Sequence, residues 1–320
     1  MNNQFDTPIL FIIFNRPGFT QQVFNQIKQI KPKYLFVAAD GPRQNVDGDV
    51  EKILESRRIL QQIDWDCNVQ TLFRDKNLGC KHSVSSAITW FFDQVDSGII
   101  LEDDSLPDLT FFPYCHELLL KYKDDEQVMM IGGSNFQNGI ERGIGSYYFS
   151  NYAIIWGWAT WKRAWDKYDL EMKDFHQTYY SGRIDHAFQN KKEKNHWKRV
   201  FTKTIDHQIL TWCFPWLYCT WKNKGMSITP NKNLIVNIGT ENDSTHQFLK
   251  DSYRDERKLE SIYFPLKHPV KFEINKVADK FTFTNIFSHS FRRAFRLIRN
   301  NGLKTIIKLF YNYVTTKLLK

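Results

Sequence analysis

Three times between residues 9 and 95 the chain repeats one unit, a short apolar run, a polar or charged turn, then a stretch with apolar residues at helical spacing, and a fourth apolar run follows. The runs are Ile9 to Phe14, Tyr34 to Ala39, Val69 to Phe73, and the run from Gly98 into Glu102. Between them Val23, Phe24, Ile27 and Ile30 share one face of a predicted helix. Ile53, Leu54 and Leu60 mark a second helix near Val50 to Ile63, and Val84, Ala87, Ile88, Phe91, Phe92 and Val95 a third. Strands and helices that alternate in this way bury their apolar faces as a mostly parallel, doubly wound sheet with helices on both sides. An α/β fold is therefore expected, with its ligand crevice outside the carboxyl ends of the strands.

Those ends are charged. The first run is followed by Asn15-Arg16-Pro17-Gly18, the second by Asp40-Gly41-Pro42, the third by Arg74-Asp75, and the fourth ends in the consecutive carboxylates Glu102, Asp103 and Asp104. An acidic turn after a strand is one reading of the last. Three adjacent acids beside a sheet also repel one another, and a hard divalent cation carrying a diphosphate is the economical way to hold them. Arg16, Asp40 and Arg74 would converge on the same polyanion. No Gly-x-Gly-x-x-Gly follows the first run and no Gly-x-x-x-x-Gly-Lys-Ser/Thr occurs anywhere, which argues against a dinucleotide-dependent dehydrogenase and a P-loop nucleotidase.

With 320 residues, 42% hydrophobic and 16% aromatic, the chain suits one large ordered α/β domain with additions. That domain is expected over 1–285, in two halves of about 1–135 and about 136–285. The five cysteines, Cys67, Cys80, Cys115, Cys213 and Cys219, are odd in number and scattered, so neither a disulfide framework nor a zinc site is suggested. The N-terminus lacks a basic segment leading into an apolar one, and no run approaches 18 apolar residues. The expectation is a cytoplasmic protein without a cleaved signal or a membrane span. Of the 44 basic residues, nine lie from Lys280 to Lys320 with no acid among them; the remaining 35 balance the 35 acids of the body. An interior groove for nucleic acid is thus unsupported, and a surface-seeking tail over 286–320 is expected.

Taken together, the run from Pro8 to Pro17, Ala39-Asp40-Gly41, Leu101-Glu102-Asp103-Asp104 with Pro107 and Phe111-Phe112 after it, and Trp156-Gly157-Trp158 resemble GT-A glycosyltransferases. The nearest likeness is to N-acetylglucosaminyltransferase I-like enzymes and to bacterial glycosyltransferases of surface-polysaccharide synthesis, over about residues 7 to 250. The resemblance implies a nucleotide-diphospho-sugar donor held with Mn2+ or Mg2+. It implies Asp104 as the direct metal ligand, Glu102 and Asp103 at the donor's sugar and ribose, Asp40 reading a uracil imide, and Arg16 near the diphosphate. Trp156 and Gly157 would lie in the loop walling the sugar pocket, with Gly157 letting backbone approach the donor.

In the second half, Trp158, Trp161 and Trp165 fall at i, i+3 and i+7, the spacing of a helix face, with Trp161 and Trp165 as core. An inverting transfer needs a base for the acceptor hydroxyl, and Asp206, in Thr204-Ile205-Asp206-His207-Gln208, is the candidate; a solvent-facing helical Asp is the alternative. His246 is a candidate metal or diphosphate ligand beyond Asn237-Ile238-Gly239, and Lys81 and His82 are candidates for the nucleobase side. Basic residues alternate with bulky apolar ones from Phe291 to Lys320, which suits either the anionic inner face of the plasma membrane or docking onto the domain. The expected partners are a nucleotide-sugar donor, a glycan or lipid-linked acceptor, and that membrane surface. Two other readings stay open: a sugar nucleotidyltransferase, whose Gly-rich loop after the first strand is lacking here, and a non-catalytic membrane-associated ligand-binding protein.

Overall fold

The computed structural model describes residues 4–239 and 257–288. Each expected strand and helix of the first half forms: β1 (Ile9–Ile13), α1 (Pro17–Ile30), β2 (Tyr34–Ala39), α2 (Asp49–Arg58) with a 3-10 turn after it, β3 (Asn68–Phe73), α3 (Gly79–Phe92) and β4 (Ser97–Glu102). They are followed by β5 (Ser105–Pro107), α4 (Phe111–Lys121), β6 (Val128–Gly132), β7 (Tyr147–Ser150), β8 (Trp158–Trp161), α5 (Lys162–Trp165), α6 (Phe175–Tyr180), α7 (Lys191–Ile205), α8 (Cys213–Lys222), β9 (Met226–Pro230) and β10 (Ile235–Asn237). One sheet runs β3-β2-β1-β4-β8-β6-β9-β7, and β10 pairs with β5 in a small antiparallel ribbon.

The pairs β2–β3, β1–β2, β1–β4 and β6–β9 are parallel; β8 lies antiparallel between β4 and β6, and β7 closes the edge antiparallel to β9. The strand order reverses between β1 and β4, and this reversal is the place where an open α/β sheet leaves a crevice. Alternate residues along β1 supply the two layers of the core. Ile9, Phe11 and Ile13 join α1 and α4 on one face, while Leu10 and Ile12 join α3 and α8 on the other.

The tryptophan run departs from the expected helix face. Trp158 and Trp161 open and close β8, so a spacing of three sends them to opposite faces, Trp158 toward Trp212 and Trp216 and Trp161 toward α4; only Trp165 is helical. Helical spacing over four residues cannot be told from a strand, and pairing with both β4 and β6 decides it. The expectation that Trp161 and Trp165 are core is met, since both are 3% exposed.

A third core cluster lies in the second half of the chain, where Trp197 and Phe201 of α7 meet Tyr218 and Trp221 of α8. Phe287 packs against both Tyr152 and Trp197, so the segment beginning at 286 is anchored in this cluster through its described residues. The rest of the basic tail lies outside the described residues. Among those described, no helix is long and apolar enough to cross a membrane.

Asp279, in the helix Lys276–Thr282, is 1% exposed and accepts hydrogen bonds from Ser150 Oγ (2.5 Å) and the Asn151 amide (3.0 Å). Burial pushes its carboxyl up to about 7 against those hydrogen bonds, with the charge of Glu193 adding to the rise. The folded value exceeds the unfolded one of about 3.9, so this contribution to stability is full below the unfolded value and is lost as pH rises through the folded one. The melting temperature should therefore fall by several degrees between pH 5 and pH 8, and Asp279→Asn should flatten that slope. Parallel slopes for the two proteins in thermal melts would remove Asp279 as the cause.

Candidate functional site

The loop after β1 and the turn after β4 meet at the crevice. Arg16 lies 2.8 Å from Asp104 Oδ2 through Nη1 and is paired to Asp103 Oδ1 through Nη2, and the Phe14 amide donates to Asp103 Oδ2 at 3.1 Å. Pro17 starts α1 directly after Arg16, which fixes the position from which the guanidinium reaches across. Asp103 is 2% exposed. Burial pushes its carboxyl up to about 6, with Arg16 opposing. Burial pushes Glu102 up further, to about 8, and the charges of Asp104 and Asp103 add to that. Arg16 is held above its usual range because the two aspartates outweigh the burial that opposes its charge. The site therefore carries more negative charge than its arginine neutralises.

The β5–β10 ribbon brings a distant segment over the acids. The Ile238 amide donates to the Asp104 carbonyl (2.8 Å) and the Gly239 amide to Asn237 Oδ1 (3.0 Å). A Cβ on Gly239 would stand 2.9 Å from Asp104 Oδ2 and 3.3 Å from Arg16 Nη1, so only glycine approaches this closely without displacing the pair. Cys213 opens α8; burial pushes its thiol up to about 11, and the Glu102 charge adds to the rise. The start of α8 therefore belongs to the surroundings of Glu102, which no sequence motif indicated.

The remaining expected residues fall into separate environments. Asp40 is 7% exposed, and its carboxylate accepts the Leu78 and Gly79 amides at the start of α3 (3.0 Å each at best) and the Gly41 amide (3.0 Å). Backbone amides thus engage its oxygens, and it ties β2 to the positive end of α3. Arg74 bonds Ser86 Oγ at 2.7 Å and keeps a buried Nη1 without a partner. Beside it Arg57, which the sequence reading passed over, reaches the Arg74 carbonyl (2.9 Å) and lies 4.6 Å over the Phe73 ring. Lys81 is 6% exposed and is paired to Glu171 at 2.7 Å, so its charge is already met; His82 is exposed at the first turn of α3.

Trp156 packs at a tilt against Phe136, ring centroids 5.5 Å apart, and the Arg257 guanidinium lies 3.8 Å over the Phe136 ring and 5.0 Å over that of Trp156. Gly157 has φ +60°, and a Cβ there would stand 2.4 Å from the Ile235 side chain. The close approach it permits in the fold is to the Ile235 side chain of β10. Asp206 is exposed at the C-terminal end of α7, and among the described residues no ion pair or hydrogen bond joins its side chain to Glu102, Asp103 or Asp104. His246 lies outside the described residues.

A second clamp stands next to the first and was not foreseen. Asp49, at the start of α2 and 1% exposed, takes Arg43 at 2.7 Å and Asn15 at 2.5 Å. The Arg43 hydrogen bond brings its carboxyl down to about 2. It steadies the residue that precedes Arg16.

Among the described residues, no group of three or more His, Cys, Asp or Glu side chains is placed to hold a metal ion. No known family profile and no curated protein matches the chain. Among solved structures it is similar to a cytidylyltransferase from Leptospira borgpetersenii (12% identity, 63% of this chain and 73% of that one, TM-score 0.32). A 4-diphosphocytidyl-2C-methyl-D-erythritol synthase from Anaerococcus prevotii follows (9%, 63% and 84%, 0.31), then a UDP-glucose pyrophosphorylase complexed with UDP-glucose (10%, 45% and 62%, 0.25). At these scores the likeness carries no argument about activity.

Proposed function

We propose that the chain is a metal-dependent, inverting glycosyltransferase that moves a sugar from a nucleoside-diphosphate donor, a UDP-sugar first among them, to a glycan or lipid-linked acceptor in bacterial surface-polysaccharide synthesis. The carrying observation is the Arg16–Asp103–Asp104 clamp at the strand-order reversal, with excess negative charge and with Gly239 crowded against Asp104. Hard carboxylate oxygens with unneutralised charge fit Mn2+ or Mg2+, and one or two such ligands suffice where phosphate oxygens and water complete the shell. Asp104 would hold the ion, which when bound neutralises the charge developing on the departing diphosphate.

This chain's own residues do the rest. Arg16 keeps Asp103 and Asp104 together and supplies positive charge beside the phosphates. Arg74, with a buried Nη1 still unpartnered, and Arg57 offer donors at the carboxyl ends of β2 and β3. Asp206 is the residue proposed to take the acceptor proton. A cytoplasmic enzyme resting on the inner membrane face through its basic C-terminal residues completes the reading.

Nucleotidyl transfer is the competing chemistry, and the first of the solved proteins above is a cytidylyltransferase by name. The loop after β1 favours glycosyl transfer, because Arg16 is committed to two aspartates instead of standing free in a glycine-rich cradle for a triphosphate. Two assays with Mn2+ or Mg2+ separate them. Sugar transfer from a nucleotide sugar is expected; pyrophosphate release from a nucleoside triphosphate and a sugar phosphate would replace this reading. Asp206→Asn should keep donor affinity in calorimetry and lose about 100-fold or more in single-turnover transfer, since the amide cannot accept the proton. A rate within about threefold of the parent would move the base elsewhere.

A further inference from the structure

The outer side of α7 is more basic than packing requires. Lys191, Lys192, Lys194, Lys198, Arg199 and Lys203 lie on this one helix, and its single acid, Glu193, is turned inward to Tyr152 and is 1% exposed. Toward its C-terminal end the helix walls a shallow concavity of about 480 Å3. Lys198, Arg199 and Lys203 line it, with Asn195, Thr202 and, from beyond the helix end, Asp206 and Gln208. Lys198 is drawn to the rings of Tyr180 (4.9 Å) and Tyr179 (5.2 Å). Arg199 and Lys203, four apart and so neighbours on one face, have no carboxylate within 4.0 Å among the described residues, Asp206 included. Like charges set side by side without a counter-ion, in a concave site, favour an anion.

The other lining groups narrow its class. Every lining side chain is polar or charged, so no apolar residue is presented to a bilayer interior. The amides of Asn195 and Gln208, the hydroxyl of Thr202 and the carboxylate of Asp206 donate to and accept from hydroxyl groups. We propose that this concavity binds an anionic saccharide, a hydroxyl-rich chain carrying carboxylate or phosphate groups. That this saccharide is the acceptor rests on the glycosyl-transfer reading; the binding itself does not.

The test uses the full chain and its Arg199→Ala/Lys203→Ala double variant. Calorimetry is run with tetragalacturonate, with a phosphorylated mannose pentasaccharide, with neutral maltotetraose and with inorganic phosphate, and phosphatidylserine vesicles are tested by co-sedimentation. Expected is binding of at least one anionic oligosaccharide, weakened at least tenfold by the double substitution and by added salt, with maltotetraose unbound and uridine diphosphate affinity unchanged. Failure of both anionic oligosaccharides to bind, equal binding of maltotetraose, or binding untouched by the double substitution overturns the proposal. So does loss of vesicle capture without saccharide binding, which would assign the patch to the membrane, and so does inorganic phosphate binding as tightly as the oligosaccharides. Saccharide binding without transfer from any nucleotide sugar would sustain this site and remove the enzymatic reading.

Discussion

Asp104→Ala is expected to lose transfer by about a thousandfold or more and to keep its fold. The carboxylate is the expected support of the divalent ion beside the leaving diphosphate, and groups that stabilise such developing charge contribute several kcal/mol to the barrier. Little of the core depends on it: Arg16 retains Asp103, and the Ile238 amide bonds the Asp104 backbone carbonyl, which survives the substitution. Removing one of the crowded negative charges should also lower the Glu102 carboxyl, because Asp104 is the charge that raises it most. Circular dichroism, thermal melting and single-turnover transfer with Mn2+ make the comparison. Transfer at the parent rate, or full activity of the parent in excess chelator, would remove the metal assignment.

The first half of the fold was legible because each of its elements states its period over a full length. Apolar runs at 9 to 14 and 34 to 39 are too short for helices, and the stretches between them place their large residues on one face. The carboxylate cluster was equally plain, since three adjacent acids ending an apolar run have few structural uses. What the sequence could not display was pairing across distance. Nothing near Asp40 indicates that the α3 amides will occupy it, nor that Lys81 will find Glu171 ninety residues on. The same holds for Gly239, whose place against Asp104 depends on β5 pairing with β10, and for Gly157, whose open side is filled by Ile235. The tryptophans failed differently: four residues of β8 fit a helical spacing by accident, and insertion between β4 and β6 overrode it. Of the residues named from resemblance, Arg16, Asp103 and Asp104 come together in one clamp, while the α3 amides bond the Asp40 oxygens.

Arg16→Ala is expected to be the most destabilising single substitution at the site, with a cost that depends on pH in a way mere loss of packing would not. Asp103 would keep the Phe14 amide but lose the cation that opposes its burial, and breaking a buried pair from one side costs about 3–5 kcal/mol. With Arg16 gone, the folded-state carboxyl of Asp103 rises further above its unfolded value of about 3.9. The fold then favours the protonated acid, so the penalty is absent below the unfolded value and grows as pH rises through the folded one. Urea unfolding should place the variant close to the parent at pH 5 and far below it at pH 8, and Arg16→Ala/Asp103→Asn should recover most of the loss at pH 8. A deficit that is equal at both pH values would mean that Arg16 acts through its contacts with neighbours such as Phe19, 6.0 Å from the guanidinium, and not by holding the carboxylates charged. The pH-dependent outcome would instead show that Arg16 is what lets the fold carry the buried Asp103 carboxylate ionised at neutral pH, the state in which it can stand beside a divalent ion.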